Sequence, residues 1–207
     1  MGVETYTVAN TEEGGAEYYK SQFETKEALI QYGEQLCEEV EAEGAVLLLN
    51  RNNTLPLKAD AKVSTFGTSS VDIVYGGLGS GNVDTSTAPT LRSALEKNGF
   101  SVNDALWDFY ATGEAKNYRR GSCSISSMMA GTAIAEAPWS VYTSAVQDSF
   151  SKFGDAAIVV FSRIGGEGND LSHLPEYNYL ELSQEERQLL QELKQLREQG
   201  FFKASSF

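Results

Sequence analysis

The stretch DAAIVVFSRIGGEGNDL, residues 155–171, joins an apolar run directly to a glycine-rich loop. Within residues 155–162, positions 156–161 carry apolar side chains in succession, which is typical of a strand buried on both faces. A second strand is predicted at residues 62–67, KVSTFG. Because such strands alternate with helical segments along the chain, the sequence predicts a parallel sheet covered by helices, which is an α/β fold.

Four segments have the apolar periodicity of helices, at residues 25–43, 90–99, 140–154 and 182–200. The last is the clearest, because Ser183 and Glu186 match a capping box. A short strand and another helix are expected between residues 100 and 113, and a long loop over residues 119–138.

Two predictions concern apolar residues near the first helix. The run AVLLLN, residues 45–50, predicts a short buried strand. Cys37 falls on the apolar face of the helix, so we expect it to be a small core residue. Cys123 lies far from it in sequence, and two distant cysteines do not indicate a disulfide framework. A reducing cytoplasm is therefore the expected location.

The charge balance limits the partners. Asp and Glu outnumber Lys and Arg by 29 to 16, which gives a net charge of −13. Such a surface repels phosphate groups, so we expect no nucleic-acid partner and no attraction to anionic membranes. No apolar stretch approaches the roughly 20 residues that a membrane-spanning helix needs. The first residues, MGVETYTVANTEEGG, lack the pattern of a secretory signal.

Two glycine-rich loops follow the predicted strands. If the strands are parallel, residues 67–82 and residues 163–170 leave the same sheet edge, where α/β sheets bind their ligands. Glycines flank Glu167 on both sides, so the backbone can turn sharply and project its carboxylate. Taken alone, this pattern also fits a solvated turn. The stretch YGGLGSGN, residues 75–82, lacks the Gly-Lys-Ser/Thr of a phosphate-binding loop.

The residues around Glu167 leave several roles open. Arg163 is close enough in sequence to pair with Glu167 or Asp170, and Asp170 could also form an Asx turn. His173, the single histidine, is expected in a loop, because no Gly-x-Ser-x-Gly motif accompanies it. No metal site and no cofactor are predicted, since one histidine and two isolated cysteines offer few ligands.

Four stretches together resemble a known domain. They are AEGAVLLLNRNNTLPLK (42–58), KVSTFG (62–67), YGGLGSGN (75–82) and SRIGGEGNDL (162–171). Their order and spacing are similar to those of the α/β-sandwich domain of glycoside hydrolase family 3, which includes β-glucosidases and β-xylosidases. The resemblance runs from about residue 35 to residue 200. It implies a three-layer α/β/α sandwich with a mostly parallel sheet.

The resemblance also implies a function. Family members typically pair this domain with a (β/α)8-like barrel that carries a nucleophilic aspartate, and the sandwich supplies the general acid/base glutamate. Carried over by position, that glutamate is Glu167. A β-linked saccharide would bind at the interface with the barrel. The expected substrate-binding residues are Arg163, Asp170, Tyr75, Gly79 and Ser80.

Departures from the family pattern shape the expected organisation. Leu171 stands where the family has arginine, and Leu49 where it has lysine. A barrel needs about 250 residues, and none is present. We therefore expect an N-terminal arm at residues 1–24 and a partial sandwich at residues 25–207, from a permuted member and incomplete at its C-terminal end. Without the nucleophile, the chain alone should be inactive.

Two further expectations complete the interpretation. An alternative function is a non-catalytic carbohydrate-binding or protein-interaction module, with Tyr75, Trp107 and Trp139 as an exposed aromatic platform. A nucleotide-binding domain would need a fingerprint that is absent. An incomplete sheet leaves an open edge, so we expect a homo-oligomer formed through that edge or through exposed residues 200–202, GFF.

Overall fold

The chain forms two compact units. The computed structural model describes residues 21–77, 83–121, 134–165, 173–174 and 177–203. The units are Met1–Leu48 and Leu49–Phe207, and each is described by itself. The predicted boundary between residues 24 and 25 stays a prediction.

The first unit contains helix α1, Lys26–Gly44. Its N-cap is Thr25, whose hydroxyl accepts a hydrogen bond from the N–H of Ala28 at 3.1 Å. The helix was predicted correctly, but none of its residues is buried, and Val40 in its apolar stripe is 63% exposed. Cys37 is an exposed free thiol. Its prediction as a core residue was wrong, because the described residues do not cover this face of α1.

Residues 45–50 do not form the predicted strand. They have no regular secondary structure, and Leu48 is 90% exposed. An apolar run indicates a preference for burial but does not supply a neighbouring strand to pair with. The prediction of a buried strand was therefore wrong.

The second unit contains a three-stranded sheet in the order β2-β1-β3. The strands are β1, Lys62–Phe66; β2, Ser101–Val102; and β3, Ala156–Val159. Both pairs are parallel, and Val63 of the central strand lies opposite Val102 on one side and Ala156 on the other. The predicted α/β fold with a parallel sheet is confirmed.

Helices and apolar clusters cover both faces of this sheet. The helices are α2, Leu91–Lys97; α3, Asp104–Ala111; α4, Ser144–Ser149; and α5, Gln184–Glu198. Val63 belongs to a smaller cluster that includes Leu95 of α2, whereas Phe66 belongs to a larger cluster with Leu106 of α3 and Leu189 of α5. This division follows from the alternation of side chains along a strand.

The segment after α5 completes the larger cluster. Phe202 is only 3% exposed, and its ring centroid lies 5.7 Å from that of Phe66 and 5.9 Å from that of Phe150. The N–H of Lys203 donates to the carbonyl of Gly154 at 2.9 Å. The expectation that residues 200–202 are exposed is wrong for Phe202, because its ring fills the core beneath β1.

A short antiparallel ladder precedes α5. It pairs β4, His173–Leu174, with β5, Tyr177–Asn178. His173 therefore lies in a short strand rather than in the predicted loop. Much of the predicted loop over residues 119–138 lies outside the described residues. Of the helices in the described ranges, none has the length and apolar character that crossing a membrane requires.

Candidate functional site

The loops after β1 and β3 begin side by side at the carboxyl edge of the sheet. The N–H of Val160 donates to the carbonyl of Phe66 at 3.0 Å, one residue beyond β3. Gly67 has φ +92°, and a Cβ at this position would collide with the carbonyl oxygen of Val160. Glycine therefore allows the two chains to leave the sheet in close contact. The predicted common edge for these two loops is confirmed.

Arg163 is held at this edge by the N-terminal end of α5. Its Nη1 donates to Glu186 Oε1 at 2.8 Å, and its Nη2 donates to Glu186 Oε2 at 2.7 Å. Its Nε also donates to the carbonyl of Tyr179 at 2.7 Å. Two parallel bonds between a guanidinium and a carboxylate form a strong and geometrically specific ion pair. Arg163 was predicted to pair with Glu167 or Asp170, and Glu186 is its acidic partner among the described residues.

The carboxylate of Glu186 both pairs with Arg163 and caps the N-terminus of α5. Its Oε2 accepts the N–H of Ser183 at 2.8 Å, and Ser183 Oγ accepts the N–H of Glu186 at 3.1 Å, which completes the predicted capping box. The side chain of Glu186 is only 3% exposed. The start of α5 and the exit of β3 are therefore joined through one buried carboxylate.

A second buried carboxylate, Glu136, supports the loop after β1. Its Oε2 accepts the N–H of Thr68 at 3.0 Å, and its Oε1 accepts the N–H of Ala137 at 2.9 Å. Burial raises the pKa of Glu136 from 4.5 to about 7. The nearby charge of Glu186 contributes to this upward shift, while the bonds from Thr68 and Ala137 oppose it.

Two tyrosines extend this network beneath the sheet edge. The hydroxyl of Tyr110 accepts the N–H of Gly67 at 2.8 Å and shares a hydrogen bond with the hydroxyl of Tyr142. Burial raises the pKa of both phenols well above the usual value, so they stay neutral donors. The backbone of residues 67–68 is thus held by Tyr110 and Glu136 together.

A small polar cavity lies between the loops. Its volume is about 10 Å³, and it is lined by Thr68, Ser69, Asp72, Arg120, Ala135, Ser162 and Glu186. This volume is near the lower limit for one water molecule and far below that of a sugar ring. Within the ranges that the structure describes, no three His, Cys, Asp or Glu residues are grouped as a metal site would require.

Comparison with known proteins identifies the domain. The family described as "Glycosyl hydrolase family 3 C-terminal domain" matches residues 45–200. The chain belongs to glycosyl hydrolase family 3. This family 3 domain is 32% identical over 145 residues to "Beta-glucosidase A" of Butyrivibrio fibrisolvens. That alignment covers 66% of the chain but 15% of the relative.

Solved structures agree with the family 3 assignment. A β-glucosidase from Paenibacillus barengoltzii is 27% identical with a TM-score of 0.63, over 78% of the chain and 17% of that protein. β-Glucosidase 3B from Thermotoga neapolitana, solved in complex with α-D-glucose, is 26% identical with a TM-score of 0.64, over 84% of the chain and 23% of that protein. The family 3 domain thus spans about a fifth of the length of these relatives.

The predicted site residues of the family 3 domain are only partly described. Glu167, Asp170, Gly79 and Ser80 lie outside the described residues, so their predicted roles stay predictions. Tyr75 is 40% exposed, and its hydroxyl donates to the carbonyl of Pro89 at 2.5 Å.

The aromatic platform of the alternative function is not formed. Trp139 packs against the larger cluster, with its ring centroid 4.3 Å from that of Tyr142, whereas Trp107 packs against the smaller one. Because the two clusters lie on opposite faces of the sheet, these tryptophans cannot share one surface with Tyr75.

Sequence reasoning missed two features of this edge. Glu136 was not predicted to belong to the site. Its only signal in the sequence is its place between two alanines, just before Pro138, in the stretch AIAEAP. Glu186 was recognised only as a helix cap. Its pairing with Arg163 joins positions 23 residues apart, which no local pattern indicates.

Proposed function

We propose that this domain supplies the general acid/base, Glu167, for hydrolysis of the O-glycosidic bonds of a β-linked saccharide. The saccharide would bind at an interface between this domain and a barrel domain that carries the nucleophile. Asp170, Tyr75, Gly79 and Ser80 are the proposed direct substrate contacts on this side of the interface, and Arg163 is proposed to act on substrate binding only through the loop that it anchors.

The observation that carries the proposal is the parallel pairing of β1 with β3 in a family 3 domain. The two predicted loops therefore start at the same carboxyl edge of the sheet, the edge at which α/β sheets typically bind ligands, and in the sequence Glu167 belongs to the loop that follows β3. Arg163, four residues before Glu167, is anchored to α5 at this same edge. A carboxylate following such an anchor is suited to reach toward a neighbouring domain.

The chemistry requires a second carboxylate. A retaining glycosidase uses two carboxyl groups about 5–5.5 Å apart, one as nucleophile and one as acid/base. Glu167 can protonate the leaving oxygen, but it cannot also form the glycosyl-enzyme intermediate. We therefore propose that residues 1–207 alone have no glycosidase activity.

The test compares two proteins. Residues 1–207 and the complete product of the gene are purified and assayed with chromogenic β-glucoside and β-xyloside. We expect turnover from the complete gene product and none from residues 1–207. A complete gene product without glycosidase activity would contradict the proposed function. Turnover by residues 1–207 that disappears in Glu167→Gln would contradict the requirement for a partner domain.

We also propose a cellular location and an oligomeric state. The cytoplasm is the proposed location, which the exposed free thiol of Cys37 supports, since exposed thiols persist in reducing compartments. A homo-oligomer is the proposed assembly of residues 1–207. It would form through β3, which is an edge strand among the described strands, and not through Phe202, which is buried in the core.

A further inference from the structure

The pair of Arg163 and Glu186 has the geometry of a positioning device. Both side chains are largely buried, with exposed fractions of 18% and 3%. Their two bonds, at 2.8 and 2.7 Å, use the planar fork of the guanidinium, which the point charge of a lysine cannot reproduce. The relative orientation of the two groups is therefore fixed as well as their separation.

Further bonds restrain the backbone next to this pair. The N–H of Ile164 donates to the hydroxyl of Tyr179 at 3.0 Å. Arg163 Nη2 also donates to the carbonyl of Glu181 at 2.7 Å, and its guanidinium lies 5.7 Å from the centroid of the Tyr179 ring. Residues 163–164 are thus held by the segment that leads into α5, and among the bonds described Glu186 supplies the carboxylate that pairs with the guanidinium.

We propose that Glu186 is a positioning residue for the acid/base step, acting through Arg163. The pair fixes the chain at residues 163–164, from which the loop continues to Glu167. The inference rests on the proposed role of Glu167. A misplacement of about 1 Å can reduce a rate by about 10²-fold without removing any reacting group. Loss of the pair should therefore slow protonation of the leaving group more than it weakens binding.

The experiment measures kcat and KM of the complete gene product for two β-glucosides, one with an alkyl leaving group and one with a dinitrophenyl leaving group. Only the alkyl leaving group depends strongly on protonation. Glu186→Gln and Arg163→Lys should each lower kcat for the alkyl glucoside by at least about 10-fold, with smaller changes in KM and in dinitrophenyl glucoside turnover. The double variant should be no slower than the slower single variant, because both act through one pair.

Two matched variants separate positioning from stability. Ser183→Ala removes the other half of the capping box but leaves the pair of Arg163 and Glu186 intact. It should lower the melting temperature of residues 1–207 by about 2–4 °C and keep the ratio of alkyl to dinitrophenyl turnover in the complete gene product. Arg187→Lys alters an exposed ion pair with Glu181 on the same helix and should keep both the melting temperature and the ratio.

The outcomes are distinct. An unchanged ratio of alkyl to dinitrophenyl glucoside turnover in Arg163→Lys, or in a folded Glu186→Gln, would overturn the inference. If Glu186→Gln does not fold, the ratio measured for Arg163→Lys is the test. If Glu167→Gln changes the ratio and these variants do not, only the positioning role fails. If Glu167→Gln also leaves the ratio unchanged, the proposed function itself fails.

Discussion

The N–H of Thr68 donates to the buried carboxylate of Glu136 at 3.0 Å, a contact between residues 68 positions apart in the sequence. Thr68 Oγ1 also donates to the carbonyl of Ala135 at 2.5 Å. The turn after the central strand is therefore tied to residues 135–136 by two bonds. We therefore expect the stability of this sheet edge to depend on the protonation state of Glu136.

Glu136 should make the free energy of unfolding fall as pH rises. Its pKa is about 7 in the folded chain against 4.5 for the free group, so the folded state binds this proton more tightly. The stabilisation is complete below pH 4.5 and is lost as pH rises through 7. Its upper bound is about 3 kcal/mol. Urea titrations of residues 1–207 between pH 4.5 and 8 measure it.

Glu136→Gln should remove this part of the pH dependence, because an amide does not titrate. Glu198→Gln, which alters an exposed carboxyl at the end of α5, should keep the slope of the unaltered protein. Equal slopes in Glu136→Gln and the unaltered protein would show that Glu136 ionises normally in the folded chain.

Gly67→Ala should destabilise the second unit by at least about 2 kcal/mol. Its φ of +92° is unfavourable for alanine, and the added Cβ would collide with the backbone of Val160. Gly165→Ala is the control at the same edge, since a Cβ there meets nothing within 4 Å. Urea unfolding of the two variants compares them. Equal midpoints would mean that the two loops do not leave the sheet in close contact.

Phe202→Ala should cost about 3–5 kcal/mol, the usual range for removing a fully buried aromatic ring. The ring packs against Phe66 and Phe150, so its loss leaves a cavity under the central strand. Leu180→Ala, at a side chain that is 66% exposed, should change stability by less than about 0.5 kcal/mol. Thermal and urea unfolding measure both. A loss of stability below about 1 kcal/mol would indicate that residues 200–202 are exposed and that Phe202 is not a core residue.

Residues 1–207 should associate in solution, because β3 lies at an edge of the sheet among the described strands. Light scattering on a size-exclusion column across a dilution series measures the mass. The variant Leu48→Ser alters the most exposed leucine of the run at residues 45–50 and should leave the mass unchanged. A monomer at every concentration would contradict association. Dissociation caused by Leu48→Ser would show that the interface involves residues 45–50 rather than β3.

Much of the fold was predictable because local signals and burial agreed. Helix α5 has its capping box and leucine stripe in one continuous segment, and β3 is an apolar run. β1 contains the polar residues Ser64 and Thr65, but it is buried from Val63 to Phe66. Residues 45–50 carry the same kind of run as β3 but lack a partner strand in the described chain. Sequence alone does not distinguish these cases, since pairing depends on neighbours that are distant in sequence.

The candidate site was less predictable for the same reason. Glycines around Glu167 and the family motifs indicated which loop to consider. The groups that support the edge, Glu136 and the pair of Arg163 and Glu186, meet through tertiary contacts only. Arg163 has two nearer acids in sequence, Glu167 and Asp170, which lie outside the described residues, and proximity along the chain gave no indication of its pairing with Glu186.

The most direct test of the account is the leaving-group dependence of Glu167→Gln in the complete gene product. If Glu167 is the general acid/base, kcat/KM for an alkyl β-glucoside should fall by roughly 10²–10⁴-fold, because its leaving group needs protonation. The loss for a dinitrophenyl β-glucoside should be much smaller. An equal and small loss on both substrates would contradict the account and leave Glu167 as a residue of the loop alone.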